Sequence, residues 1–158
     1  MAKLPTTEQF WQFCLECYPT IQQPLLQLQD DWGANVNLLL LLLYAEQQHW
    51  YWSAAEIARL HQAVLPANQQ YTLPIRQLRR QLSEQPTIKA ALLQAELAAE
   101  QLEQQALLAA CPKPKPKESL LQPQLLEQYL SLNGIGVVTN TSNLVQQLRQ
   151  TIHSISNG

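Results

Sequence analysis

Apolar residues recur along this chain at the spacing of a helix almost from end to end, and one stretch breaks the alternation by being apolar on every side. Leu38 to Leu43 are six consecutive leucines, entered from Asp30-Asp31-Trp32-Gly33-Ala34-Asn35-Val36-Asn37. A helix with leucine all around it cannot face water and must be enclosed by other elements. The pattern therefore predicts an all-α fold: a compact helical bundle of about seven to eight helices around a central leucine-rich helix, with Gly33 as the corner leading into it.

On the N-terminal side, Thr6 or Thr7 caps a first helix carrying Phe10, Phe13, Cys14, Cys17 and Tyr18 on one face, widened by Trp11 and Leu15 and ending near Pro19. A short second helix holds Pro24 in its first turn and presents Leu25, Leu26 and Leu28. After the central helix, about residues 34 to 48, comes His49-Trp50-Tyr51-Trp52, a connection with three aromatics. Ser53-Ala54-Ala55-Glu56 is a capping-box pattern opening a helix with Ile57, Leu60, His61 and Val64 inward, ended by Pro66-Ala67-Asn68. Thr72 then caps a helix with Ile75, Leu78 and Leu82 inward and with Arg76, Arg79 and Arg80. Pro86 opens the longest helix. Its seam is Ile88, Leu92, Ala95, Ala99, Leu102, Ala106 and Ala109; Glu96, Glu100 and Glu103 lie on another face, and Leu93, Leu97 and Leu108 on a third.

Cys111-Pro112-Lys113-Pro114-Lys115-Pro116-Lys117 reads as an extended, solvated linker. Beyond it, Pro123 starts a helix with Leu125, Leu126, Tyr129 and Leu130 that stops at Asn133-Gly134, and Ser142 caps a last one with Leu144, Val145, Leu148 and Ile152. Gly136-Val137-Val138 is the one stretch with strand character. The expected organisation is a helical core over residues 1–111, a Lys/Pro linker over 112–118, and a C-terminal helical pair over 119–158 docked on the core as one structural unit. The nearest free surface for that pair is the Leu93, Leu97 and Leu108 face; a swapped pair in a dimer is the other arrangement.

Composition narrows the function classes. Charged residues make up only 14% and glutamine fills the gap, so the surface repels weakly and self-association or a protein partner is expected. A net charge of −2 gives no footprint for nucleic acid or anionic lipid. The longest apolar run is far short of a bilayer span, and Lys3 is not followed by a signal-peptide core, so a cytoplasmic protein is expected. Three cysteines without a framework fit a reducing compartment.

Candidate chemistry is sparse. Cys14-Leu15-Glu16-Cys17 has redox spacing but lies within a helix on its apolar stripe, where cysteine acts as a small hydrophobe. Asp30-Asp31 resembles half of the aspartate-rich corner by which helical isoprenoid synthases hold a diphosphate through magnesium; the third acid is missing. Arg79 borders an apolar face and suits a fork-like contact to a carboxylate or a helix end, with Arg76 and Arg80 further out. Glu96 and Glu100 have the spacing of a helical carboxylate metal site but no Glu-x-x-His partner, so a solvated face or a salt bridge to the arginine helix is the better reading. His61 reads as a core histidine, and His49 and His153 have no evident co-ligands. Trp50, Tyr51 and Trp52 can anchor an interface or plug one end of the bundle.

The leading expectation is a non-enzymatic, partner-binding helical protein with no cofactor and no metal. The alternative is a small-molecule-binding protein or enzyme whose polar site draws on Asp30, Asp31, Asn35, Asn37, Arg76, Arg79, Arg80, Glu96 and Glu100.

Several stretches together carry a resemblance: Trp11-Gln12-Phe13 with Leu15 and Tyr18, Leu28-Gln29-Asp30, Gly33, Val36-Asn37-Leu38-Leu39-Leu40, Pro74-Ile75-Arg76 with Arg79-Arg80-Gln81-Leu82, and Glu96-Leu97-Ala98-Ala99-Glu100. In these the chain resembles the domain-of-unknown-function 2390 family of small proteobacterial proteins, over about residues 10 to 105. That family has Asp before Val-Asn, where this chain has Asn35. The resemblance implies a bacterial protein and supplies no mechanism.

Overall fold

The structure, a computed structural model, describes residues 3–82, 84–119, 122–132 and 139–156. The expected helix stop at Asn133-Gly134 and the strand character of Gly136-Val137-Val138 lie outside the described residues.

The first helix, α1, runs without interruption over Thr7–Trp32, where two helices were expected. Thr6 and Gln9 form its capping box. Pro19 and Pro24 both sit inside it. Each removes a backbone donor and costs about 3 kcal/mol in a helix interior. What carries the helix through them is one continuous buried stripe, Phe10, Cys14, Cys17, Ile21, Leu25 and Leu28, laid against the central helix and the C-terminal helix. Gly33, at φ 72°, ends α1 by donating to the Gln29 carbonyl. Only a residue without a Cβ takes that left-handed conformation freely.

The central helix α2, Val36–Gln47, is capped by Asn35, whose Oδ1 accepts from the Leu38 N–H at 2.9 Å. Leu38 to Leu43 are all buried, and α2 packs against α1 and against four of the helices that follow it. Ser53 and Glu56 form the expected capping box of α3, Ala54–Ala67.

Pro66 does not end this helix, and Thr72 does not cap the next. A π-helical segment, Asn68–Thr72, joins α3 directly to α4, Leu73–Gln81. The consequence is a change of face. The inward set Ile57, Leu60 and Val64 of α3, continued at α-helical spacing, would bring Tyr71, Ile75 and Leu78 inside. The π segment takes up one extra residue, which slips the register by one position and turns the helix by roughly 100°. Thr72, Arg76 and Arg79 therefore point inward, and Tyr71 and Leu78 are exposed. Of the three expected inward, Leu78 is exposed and Ile75 and Leu82 are half-buried; Arg76 is the deepest of the three arginines.

The long helix α5, Pro86–Ala110, is also rotated from expectation. Its buried residues are Glu96, Ala99, Glu103, Gln104 and Leu107, while Ile88 and Leu102 of the apolar seam are exposed. The acidic face turns inward because α4 and the start of α2 supply partners for it, as set out below.

The Lys–Pro segment is not merely a solvated linker. Lys115–Pro116 (β2) pairs antiparallel with Trp50–Tyr51 (β1), and Lys115 Nζ lies 2.8 Å from Glu56. The last helices are α6, Leu125–Leu132, and α7, Thr139–Ser156. Helix α7 begins before Ser142, so Ser142 is not its cap. It packs on α1 and α2, and α6 packs on α2 and α3. The surface they cover is not Leu93 and Leu97, which are exposed. Arg149 of α7 forks onto Glu46 at 2.7 and 3.0 Å and also pairs with Glu127 of α6, tying α7, α2 and α6 together. Burial works against the Arg149 charge, but the two carboxylates outweigh it and push its pKa further up.

The described residues form six continuous helical runs with one two-stranded ladder, an all-α fold. The count falls below seven to eight because the first two expected helices are one, and so are the fourth and fifth.

Candidate functional site

Helices α1 and α5 stand apart along part of their length and leave a cleft of about 500 Å³, floored by α2 and α4. Its walls are apolar: Trp11, Leu15, Tyr18 and Leu26 from α1, Leu93 and Leu97 from α5. Leu15, Leu93 and Leu97 are 50%, 39% and 40% exposed. Large apolar side chains left open around one concavity are what a binding cleft looks like before its ligand arrives.

The floor is polar and almost fully paired within the protein. Glu96, with its side chain 8% exposed, accepts from Arg76 Nε at 2.8 Å and from Arg79 Nε at 2.6 Å. Arg79 Nη2 adds a longer contact at 3.4 Å, and Arg76 Nη2 lies 3.5 Å from Glu100. This is the fork expected for Arg79, with Arg76 sharing it. Two turns beyond Glu96, the buried Glu103 pairs with no arginine among the described residues. Three amides serve it instead: Asn35 at 2.8 Å, Asn37 at 3.3 Å and Asn68 of the π segment at 3.3 Å. Asn37 accepts from Gln104, which also reaches Cys14 Sγ at 3.4 Å. The Asn35 N–H donates to the Tyr129 hydroxyl, which lies 3.2 Å from His61 Nδ1.

Of the candidate site residues, the structure thus brings together Asn35, Asn37, Arg76, Arg79, Glu96 and Glu100. Arg80 sits at the mouth, 3.7 Å from Asp30 with both side chains about half exposed. Asp31 is exposed at the end of α1 and takes no part in the floor. Trp50 and Trp52 are buried and Tyr51 half-buried; none of them lines the cleft. Trp50 instead stacks edge-on with Tyr44, whose ring meets Phe13 in turn. Sequence reasoning did not place Glu103, Asn68, Gln104 or Cys14 at the site. A signal existed for Glu103, which follows Glu96 and Glu100 on one face of α5; nothing local marked Asn68, which depends on the π segment.

The environment separates the two neighbouring glutamates. Burial works against the Glu96 carboxylate, but hydrogen bonds from Arg79 and Arg76 prevail and hold it below the usual range. Among the described residues the Glu100 side chain makes only the long Arg76 contact, so burial dominates, with Glu96 and Glu103 adding repulsion, and its pKa is pushed up to about 7. Burial also drives the Cys14 thiol far above its ordinary value and Cys17 up to about 11. A thiol held protonated is a poor nucleophile and a poor metal ligand. Both cysteines are therefore expected to react slowly with a thiol reagent in the native state and promptly in denaturant. Fast native labelling of either would contradict their placement in the core.

The Glu100 shift has a stability consequence with a definite sign. A carboxyl raised in the folded state above its ordinary value of 4.5 favours folding in the protonated form, fully below pH 4.5, and that advantage is lost as pH rises through about 7. Glu100→Gln, which stays neutral, is expected to gain up to about 3 kcal/mol over the parent at pH 8 and nothing at pH 4. Urea unfolding at the two pH values checks this; an equal effect at both would contradict it.

Among the described residues, no three His, Cys, Asp or Glu side chains gather as a metal ion would need, and no helix is long and apolar enough to cross a membrane. Fold and site together define an all-α protein with an amphipathic cleft over an internally paired arginine–glutamate floor. Residues 9–107 match the family described as "Protein of unknown function (DUF2390)", and the chain belongs to that family. The match takes in all the cleft residues and stops before the Lys–Pro segment. No curated protein and no solved structure matches the chain.

Proposed function

We propose that this protein binds a small, largely apolar molecule in the cleft between α1 and α5, and that it does so as a binding protein rather than an enzyme. The observation that carries this is the combination of about 500 Å³ of space, three open leucines on the walls and a preformed polar floor. Volumes of 300–1,000 Å³ with apolar linings and a few fixed polar groups are typical of small-molecule sites. The high thiol pKa of Cys14 leaves the cleft without a ready nucleophile, which supports binding over covalent chemistry. Cysteines that are all unpaired suit a cytoplasmic setting.

Titration with Nile red, an uncharged apolar dye, tests the reading. One saturable site per chain is expected, lost in Leu97→Trp, which fills the cleft from a half-exposed wall position without disturbing the floor. No binding, or binding unaffected by that substitution, would overturn it.

A protein partner is supported by a different observation. Tyr71, Leu73 and Leu78 on the π segment and α4, and Ile88 and Leu102 on α5, are large, apolar and exposed outside the cleft lining. Sedimentation of the free protein across a concentration series reads out self-association through these residues; Leu78→Glu is expected to abolish any that occurs.

A further inference from the structure

The floor of the cleft constrains the head group of its ligand. Arg76 and Arg79 both bond Glu96. Arginine stays protonated in proteins, so these three side chains carry one surplus positive charge. A guanidinium has five N–H donors. The bonds within the protein use Nε and Nη2 of each arginine, and among the described residues neither Nη1 has a partner. Unused donors and a charge that Glu96 does not cancel therefore meet at a cleft with large apolar side chains on its walls. After Glu96, the next anion is Glu100, 3.5 Å from Arg76 Nη2, too far for a strong hydrogen bond.

We propose that the cleft takes an apolar-tailed monocarboxylate, with its carboxylate seated on the free edges of Arg76 and Arg79 and its tail along Leu15, Leu93 and Leu97. This rests on the small-molecule reading above and names the ligand class for it. A single negative charge matches the single surplus. A phosphate or diphosphate would bring more charge than the floor can neutralise, against the neighbouring Glu96, Glu100 and Glu103.

Glu100 makes the binding depend on pH. It is faced by Arg76 and Arg79 from α4, Glu96 and Glu103 on its own helix, and Tyr18 and Cys14 from α1; Asn37 of α2 and His61 of α3 line the smaller pocket it shares with Asn35 and Glu103. A carboxylate arriving beside Arg76 replaces Glu100 as counter-ion. Two carboxylates at one site cannot both stay ionised without cost, so Glu100 takes a proton from solvent as the ligand binds. The neutral carboxyl can then donate to the ligand. Since burial already places Glu100 near neutrality, affinity is highest below pH 7 and falls above it.

Isothermal titration calorimetry of the full chain with decanoate, decanol and decyl phosphate, at pH 6 and pH 8, tests this. Decanoate at pH 6 is expected to bind about ten- to a hundredfold more tightly than decanol, as a charge-assisted bond would give. Its affinity should fall about tenfold at pH 8, and in Glu100→Gln the affinity at pH 8 should equal that at pH 6. If decanol equals decanoate while Nile red still binds and Leu97→Trp still blocks it, the carboxylate assignment is wrong and the cleft reading stands. If decyl phosphate binds more tightly than decanoate, the monocarboxylate class is wrong. If decanoate binds equally at both pH values, the displacement of Glu100 is wrong. If none of these probes nor the dye binds, both proposals fall.

Discussion

Replacing Glu96 with alanine is expected to destabilise the protein by about 3–5 kcal/mol, among the largest effects of any single substitution outside the apolar core. Glu96 is the common acceptor of Arg76 and Arg79, and the Arg76 and Glu96 side chains are 11% and 8% exposed. Removing it leaves two guanidiniums at the floor that cannot lose their charge. Their nearest remaining counter-ion is Glu100, so the same substitution should lower the Glu100 pKa from about 7 toward the ordinary carboxylate range. The Arg80–Asp30 pair supplies the contrast. It spans 3.7 Å at the surface, and Asp30→Ala should change stability by less than about 1 kcal/mol. Urea unfolding of the two variants beside the parent decides the matter. If both lose the same small amount, the Glu96 cluster is solvated in solution and the floor described above is not a preorganised one.

Ending the chain at Lys113 is expected to abolish cooperative unfolding and leave a sticky, partly folded product. Leu125, Leu126, Tyr129, Leu130, Leu144, Val145, Leu148 and Ile152 are all buried, and they belong to the same core as Phe10, Ile21 and the α2 leucines. Full burial of an aliphatic side chain contributes about 1.5–3 kcal/mol. The cut removes seven such groups and the Tyr129 ring and also uncovers the α1 and α2 side chains they pack on, which a net stability of roughly 5–15 kcal/mol leaves little room to absorb. The cut also removes Arg149 from Glu46 and takes the β2 pairing away from β1. Thermal melts and sedimentation of the shortened and full chains are the measurements. A shortened chain that melts sharply at the parental temperature and sediments as a monomer would show that residues 114–158 are not part of the core in solution.

How much of this was legible beforehand depends on where the deciding interaction lay. The central helix was legible because leucine on all sides leaves no alternative to enclosure, and Asn35, Gly33 and Ser53 are local devices that act within a turn or two. The continuity of α1 was masked by Pro19 and Pro24, since the usual rule ends a helix near a proline; yet the stripe from Phe10 to Leu28 runs unbroken across both. The fork of Arg79 was legible from its place at the border of the apolar face, but the inward turn of Arg76 was not, because it depends on one extra residue absorbed in Asn68–Thr72. No local propensity announces that insertion. It is favoured by what it brings together at long range, Arg76 and Arg79 with Glu96, and Asn68 with Glu103. The rotation of α5 follows from the same pairing. Acidic residues on a helix read as its solvent face until their partners are known.

The contact between α1 and α7 also sets a timetable. The first helix of the chain packs against the last, with α2 to α6 all made in between. Translation adds roughly 5–20 residues per second, so for some seconds the stripe of Phe10, Ile21 and Leu25 exists without the helix that shields it. Contacts between such distant parts of a sequence also close slowly. A newborn copy is thus at its most vulnerable to chaperones, proteases and its own neighbours until α7 clears the ribosome, and damage that halts synthesis after α5 releases a product with its longest apolar face open.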